Sequence, residues 1–193
     1  MSVVICPGIH DPELTQSFLA GLRSEMDKRS PSLWSDDSNS TSRNLLIFPA
    51  QDYSALSSFH ILHFLLDCKE GVSLSPLVFL SFSAGVVGAI GAAWGWQLLG
   101  GRVKAFIAID GWGVPLSGNF PIHRLSHDYF THWTSLLGSG EDSFYADPPV
   151  DHLDLWRFPQ RVQGWHISHP DIGRSETRSR LTAAQFLTML LAC

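Results

Sequence analysis

Four short apolar runs set the rhythm of the chain: Val3–Cys6, Asn44–Pro49, Leu77–Ser81 and Val103–Ile109. Each is nearly continuous rather than alternating, as in strands buried on both faces. Helical patterns lie between them. Asp11-Pro12-Glu13 has the form of a helix start, with an N-cap, a proline at the first position and an acid in the first turn. Leu14, Phe18, Leu19, Leu22 and Met26 then fall on one face. A second helix is predicted at about Tyr53–Cys68, with Leu56, Phe59, His60, His63, Phe64 and Asp67 spaced three and four apart. A third covers about Ala84–Leu99. This alternation predicts an α/β fold with a mostly parallel sheet covered on both faces.

The later part carries weaker signals. Ile122–Ser126 reads as a strand, Tyr129–Leu137 as a short helix closed by Gly138-Ser139-Gly140, and Ser143–Ala146 as a short strand. Val162–Ile167 is expected to be a terminal edge strand. Arg178–Leu191 reads as a closing amphipathic helix. Arg29–Arg43 is Ser-rich and polar and reads as a surface loop.

The 193 residues suit one domain, 1–193, with one sizeable core. A net charge of −5 with no Lys/Arg stripe argues against a nucleic-acid partner. Cys6, Cys68 and Cys193 are too few and too scattered for a disulfide framework. Cys6 and Cys68 read as buried small hydrophobes in a reducing compartment, so the cytoplasm is the expected location. The apolar run at the N-terminus lacks a basic region and is too short for a signal peptide. No Asp, Glu, Lys or Arg occurs from Gly71 to Gly101, and Leu77–Leu99 is long enough to be scored as a membrane span. A strand, a turn and a buried helix explain this stretch better, and no stable membrane span is expected.

The centre of that stretch carries the chemistry. Ser81-Phe82-Ser83-Ala84-Gly85 lies between a strand and a helix rich in Gly and Ala. A nucleophile elbow needs that order, with small residues two before and two after the serine, because strand and helix approach closely there. At this point the chain resembles the α/β-hydrolase family, specifically a small serine esterase or thioesterase without a lid. The family elbow is Gly-x-Ser-x-Gly, and Ser81 departs from it at the first position.

A serine hydroxyl needs a base, and the base needs a third group to orient it. The resemblance implies the chain order nucleophile, acid, histidine. His152 is the expected base, since Val150-Asp151-His152-Leu153 follows a short strand and a Pro-Pro turn. The preferred acid is Asp128, just past Ile122–Ser126. Asp110, at the end of Val103–Ile109, is its rival, with Asp142 and Asp147 behind them. The family's oxyanion hole implies the N–H of Ala84 and, from the Pro7-Gly8 turn, that of Ile9. Trp112, Phe120 and Tyr129 are the candidate substrate-binding residues, with Phe130 and Trp133 read as equally compatible with core packing.

The expected function is hydrolysis of a carboxylic ester or thioester, a small-molecule acyl substrate, through an acyl-Ser83 intermediate, without cofactor or metal. The alternative is a catalytically inactive member of the fold that binds a hydrophobic ligand or a protein partner. That alternative gains if Ser83, His152 and an acid fail to converge. A zinc site from His123, His127, Asp128 and His132 is a third reading, disfavoured because Pro121 and the strand pattern argue against a helix there. Oligomeric state is left open.

Overall fold

Strand β1 (Ser2–Cys6) is buried at every position, and so is β3 (Leu77–Phe82). In the computed structural model, which describes residues 1–29, 44–68, 76–135, 142–168 and 177–192, these two strands pair in parallel in the interior of one sheet. The remaining strands are β2 (Asn44–Ile47), β4 (Val103–Ile109), β5 (Ile122–Ser126), β6 (Ser143–Ala146), β7 (Gln163–Ser168) and β8 (Thr177–Thr182). Their order across the sheet is β2-β1-β3-β4-β5-β6-β7-β8. Every pairing up to β6 is parallel, and β7 and β8 are added antiparallel. The helices are α1 (Pro12–Arg29), α2 (Ser58–Asp67), α3 (Ala84–Leu98), α4 (Tyr129–Ser135), α5 (His152–Arg157) and α6 (Ala183–Ala192). The expected loop beyond Arg29, the Gly138-Ser139-Gly140 turn and Cys193 lie outside the described residues.

The period of two along each strand divides the core into two layers. Val3, Ile5, Val78, Leu80 and Phe82 face Phe18, Leu22 and Met26 of α1 and Phe186 and Leu187 of α6. Val4, Cys6, Phe79 and Phe106 face Ile61 and Leu65 of α2 and Ala89 and Ala93 of α3. Each large apolar side chain so buried contributes about 1.5–3 kcal/mol. Helix α1 begins as its sequence predicts: the Asp11 carboxylate accepts from the Glu13 N–H at 2.9 Å. The charge-free stretch is β3, a turn and α3. Among the described residues, no helix is long and apolar enough to cross a membrane.

Three element boundaries differ from expectation. Helix α2 starts at Ser58, not Tyr53, because the Ser57 hydroxyl caps it by accepting from the His60 N–H at 3.2 Å. Strand β7 is not the edge: β8 pairs with it from Gln163 to Ser168. The predicted last helix therefore begins at Ala183. Thr182 and Gln185 form a reciprocal capping box there, with Gln185 N–H to Thr182 Oγ1 at 3.1 Å and Thr182 N–H to Gln185 Oε1 at 2.9 Å. Cys6 is fully buried, and burial pushes its thiol pKa well up. Cys68 is only half-buried at the end of α2, contrary to expectation.

The parallel sheet aligns the C-terminal ends of β3, β4, β5 and β6 along one edge. In open α/β sheets that edge is where ligands bind.

Candidate active site

Ser83 occupies the turn from β3 to α3 with φ 51° and ψ −121°. A side chain held in this region costs about 1–3 kcal/mol and persists only where its surroundings fix it. Here the Ser83 N–H donates to the Ile109 carbonyl at 2.9 Å, and the Ser83 carbonyl accepts from the Val86 N–H at 3.0 Å. Close packing demands glycine two residues on: a Cβ at Gly85 would collide with the carbonyl oxygens of Cys6 and Pro7. Ser81 fits at the other small position. It is fully buried, and its hydroxyl donates to the Ile107 carbonyl at 3.2 Å.

His152 is the first residue of α5. Its Nε2 lies 3.0 Å from Ser83 Oγ, and its Nδ1 lies 2.8 Å from Asp110 Oδ2. A neutral imidazole that donates Nδ1–H to Asp110 presents the Nε2 lone pair to the serine hydroxyl. The ring rests on Phe82 at 4.7 Å between centroids, Phe82 stacks on Trp156 at 4.8 Å, and Trp156 stacks on Phe18 at 3.8 Å. This column ties the imidazole to the α1 side of the core. Sequence reasoning missed it. Trp156 stands one helical turn after His152, a spacing that places both on one face of α5, but nothing in the sequence identified Phe82 and Phe18 as its neighbours.

Asp110 follows β4 with φ 51° and a side chain 1% exposed. Its carboxylate accepts three N–H donors: His152 Nδ1 at 2.8 Å, His127 Nδ1 at 3.0 Å, and the His127 backbone N–H at 2.9 Å. Burial alone would push this carboxyl up. The hydrogen bonds from His127 and His152 and the charge of His127 outweigh it and hold the group below the ordinary carboxylate value.

The preferred acid of the sequence reading, Asp128, is not the partner of His152. Its Oδ1 accepts from the Thr131 N–H at 2.6 Å, and its carbonyl accepts from the His132 N–H at 3.2 Å. Asp128 is the N-cap of α4, and Asp110 occupies the place expected for it. Asp142 lies 3.6 Å from His166 Nε2, and Asp147 accepts from the Trp165 indole at 2.8 Å, so neither reaches His152.

Gly8 brings the Pro7–His10 turn against the elbow. A Cβ added to it would lie 3.1 Å from Ser83 Cβ and 3.1 Å from the Phe82 carbonyl. Ile9 follows at the surface, and Ala84 is the first residue of α3. Among the described residues, neither the Ile9 nor the Ala84 N–H donates to another protein group.

Of the expected substrate residues, Trp112 and Tyr129 are 64% and 58% exposed, Trp112 two residues beyond Asp110 and Tyr129 at the start of α4. Phe120 is a correction: it is 7% exposed and packs on Phe106 at 6.2 Å, inside the core layer with Ile122. Phe130 and Trp133 are exposed rather than core residues. The cleft beside His152, ≈ 690 Å³, is lined by Asp11, Glu13, Asp151, Asp154 and Arg157 with Leu14 and Leu153, and holds none of the three expected substrate residues. Its acids come from the starts of α1 and α5; Asp11 and Glu13 read from sequence as helix-start residues.

The four residues of the disfavoured zinc reading do not gather. His123 Nδ1 faces the Asp142 carbonyl at 3.2 Å, His127 turns to Asp110, and His132 packs 5.0 Å from the Tyr145 ring. Asp110, His127 and His152 do bring one ligand atom each to within 4.8 Å of one another. Both Nδ1 atoms point at the same carboxylate oxygen, however, which is the arrangement of two N–H donors on one acceptor.

No family model and no curated protein matches this sequence.

Proposed function

We propose that the protein is a serine hydrolase of the α/β-hydrolase kind, cleaving a carboxylic ester or thioester through an acyl-Ser83 intermediate. One observation carries this reading. Ser83 Oγ, His152 and Asp110 form a hydrogen-bonded chain of 3.0 and 2.8 Å, with the serine on a strained turn. The chain order is nucleophile, acid, histidine, as the family resemblance implies, with Asp110 in the acid's role instead of Asp128.

In the first half-reaction Ser83 Oγ attacks the acyl carbon while His152 Nε2 takes the hydroxyl proton. Asp110 stabilises the imidazolium without itself taking a proton. The carbonyl oxygen becomes an oxyanion beside the N–H groups of Ile9 and Ala84. The intermediate collapses, the C–O or C–S bond breaks, and His152 returns the proton to the leaving alkoxide or thiolate. Water repeats the sequence on the acyl-enzyme, releasing the acid and restoring Ser83.

The inactive-member reading gains if Ser83, His152 and an acid fail to converge, and from the departure at Ser81. The three lie within hydrogen-bond distance and the Ser81 hydroxyl is buried and hydrogen-bonded, so no observation favours that reading over hydrolysis. The test is labelling with a fluorophosphonate. Stoichiometric labelling of the native protein and none of Ser83→Ala is the expected result. An unlabelled native protein, or equal labelling of both, would refute the proposal.

A further inference from the structure

Two imidazoles, not one, donate to the same oxygen of Asp110. His152 Nδ1 is 2.8 Å from Oδ2, and His127 Nδ1 is 3.0 Å from it. The two rings meet edge to face with centroids 5.9 Å apart. His127 is also fixed by its backbone: its N–H donates to Asp110 Oδ1 at 2.9 Å, and its carbonyl accepts from the Val150 N–H at 3.1 Å, two residues before His152. One residue thereby holds both oxygens of the carboxylate and tethers the segment that delivers the other histidine.

We infer that His127 is a positioning residue of this site, clamping Asp110 for His152 and, when protonated, competing with His152 for the same carboxylate charge. The inference rests on the hydrolase reading for its consequence in catalysis, but not for the coupling between the two rings.

The surroundings of His127 favour its charged form. Asp110 faces it from the end of β4, and Asp128 Oδ2 lies 3.8 Å from its Nε2. Asp151 and His152 face it from the start of α5. The hydrogen bond to Asp110 raises the His127 pKa. Burial opposes that rise, and the charges of Asp110, Asp128 and Asp151 add to it. His127 therefore takes a proton at a pH above that of an ordinary histidine. Once it does, the Oδ2 that accepts from His152 Nδ1 serves a cation already.

His127→Asn separates clamping from titration, because a side-chain amide donates a hydrogen bond but does not ionise in this range. His127→Leu removes both. The experiment follows the imidazole nitrogens of ¹⁵N-histidine-labelled protein by NMR across about pH 5 to 9, where histidines titrate, together with kcat/KM over the same range. In the native protein the His127 signals should titrate above the ordinary histidine range, and Asp110→Asn should bring them down. In His127→Asn the acid limb of kcat/KM should lose one ionisation. At the high-pH plateau the Leu variant should lose about 10- to 100-fold in kcat/KM, the worth of a hydrogen bond to a charged group, and Asn should restore most of it. An acid limb unchanged in the Asn variant, or equal losses for Asn and Leu, would overturn the inference. A His127 titration that falls in Asp110→Asn, in a protein with no hydrolytic activity, would support the clamp and refute the hydrolase reading instead.

Discussion

Asp110 and Asp128 stand at the C-terminal ends of neighbouring parallel strands, and both have His127 beside them. They differ in what the chain does next. After β5 the chain turns straight into α4, whose first N–H groups lack partners within the helix. The carboxylate of Asp128 serves one of them, through Thr131. After β4 the chain instead takes a left-handed step at Asp110 and runs on through Gly111 into a loop. No helix start claims that carboxylate, and it turns inward, where three N–H groups from the His127 and His152 segments meet it. Of these two acids, the one that no helix N-terminus claims is the one that reaches His152.

The largest test of this contrast is Asp110→Asn. The amide keeps the shape but does not stabilise the imidazolium and favours the wrong tautomer, so kcat should fall by about 10⁴-fold, as in other triads. Ester hydrolysis at pH 8 measures it, and a loss under tenfold would show that Asp110 does not act as the acid. Asp110→Glu should also be severe, about 100-fold or more, because an added methylene displaces the carboxylate from a position held by three donors. Asp128→Ala should behave in the opposite way. Loss of a helix cap costs about 0.5–2 kcal/mol of stability, readable by urea denaturation, while activity at pH 8 changes less than about threefold. A large activity loss in this variant would return Asp128 to the site.

The pH dependence of stability gives a smaller and complementary test. The Asp110 carboxyl is held below its unfolded value. Its contribution is therefore complete above the ordinary carboxylate range and lost as pH falls through the lowered folded value. His127 has the opposite sign. Its raised value means a contribution complete below the ordinary histidine range and lost as pH rises through the folded value. Urea midpoints of Asp110→Asn across the acid range should vary less steeply than those of the native protein. An unchanged slope would mean that Asp110 is not held in its charged form.

The same physics explains what was legible in the sequence. β1, β3 and β4 are flanked by strands and covered on both faces, so their apolar runs are continuous and unmistakable. β8 is exposed along most of its length, its Thr-Arg-Ser-Arg stretch carries no apolar period, and it merged with the helix after it. The Thr182–Gln185 box that separates them has the capping spacing and could have marked the boundary. That Ser83 and His152 meet was legible because the roles proposed for them require special local contexts, a tight turn and a loop before a helix. The acid required a choice between two strand ends. Asp128 directly before a helix with Thr131 three residues on is an N-cap pattern, and giving that weight would have released the position to Asp110. Phe120 was misread because nothing local distinguishes an aromatic folded under its own loop from one facing a cleft. The clamp by His127 depends on two strands lying side by side, which no local pattern encodes.

The column Phe18–Trp156–Phe82–His152 has a consequence for how the site comes into being. Its members belong to α1, α5 and β3, and Phe18 lies near one end of the chain while Trp156 lies toward the other. Contacts between segments so distant in sequence form only after long loops have closed. Ser83 takes its turn once β3, β4 and α3 dock, and the imidazole then has Phe82 and Asp110 beside it, whereas α1 braces it only through Trp156. A chain folded everywhere except at α1 would keep the serine, the imidazole and the acid, and lose the far end of the stack that steadies the ring.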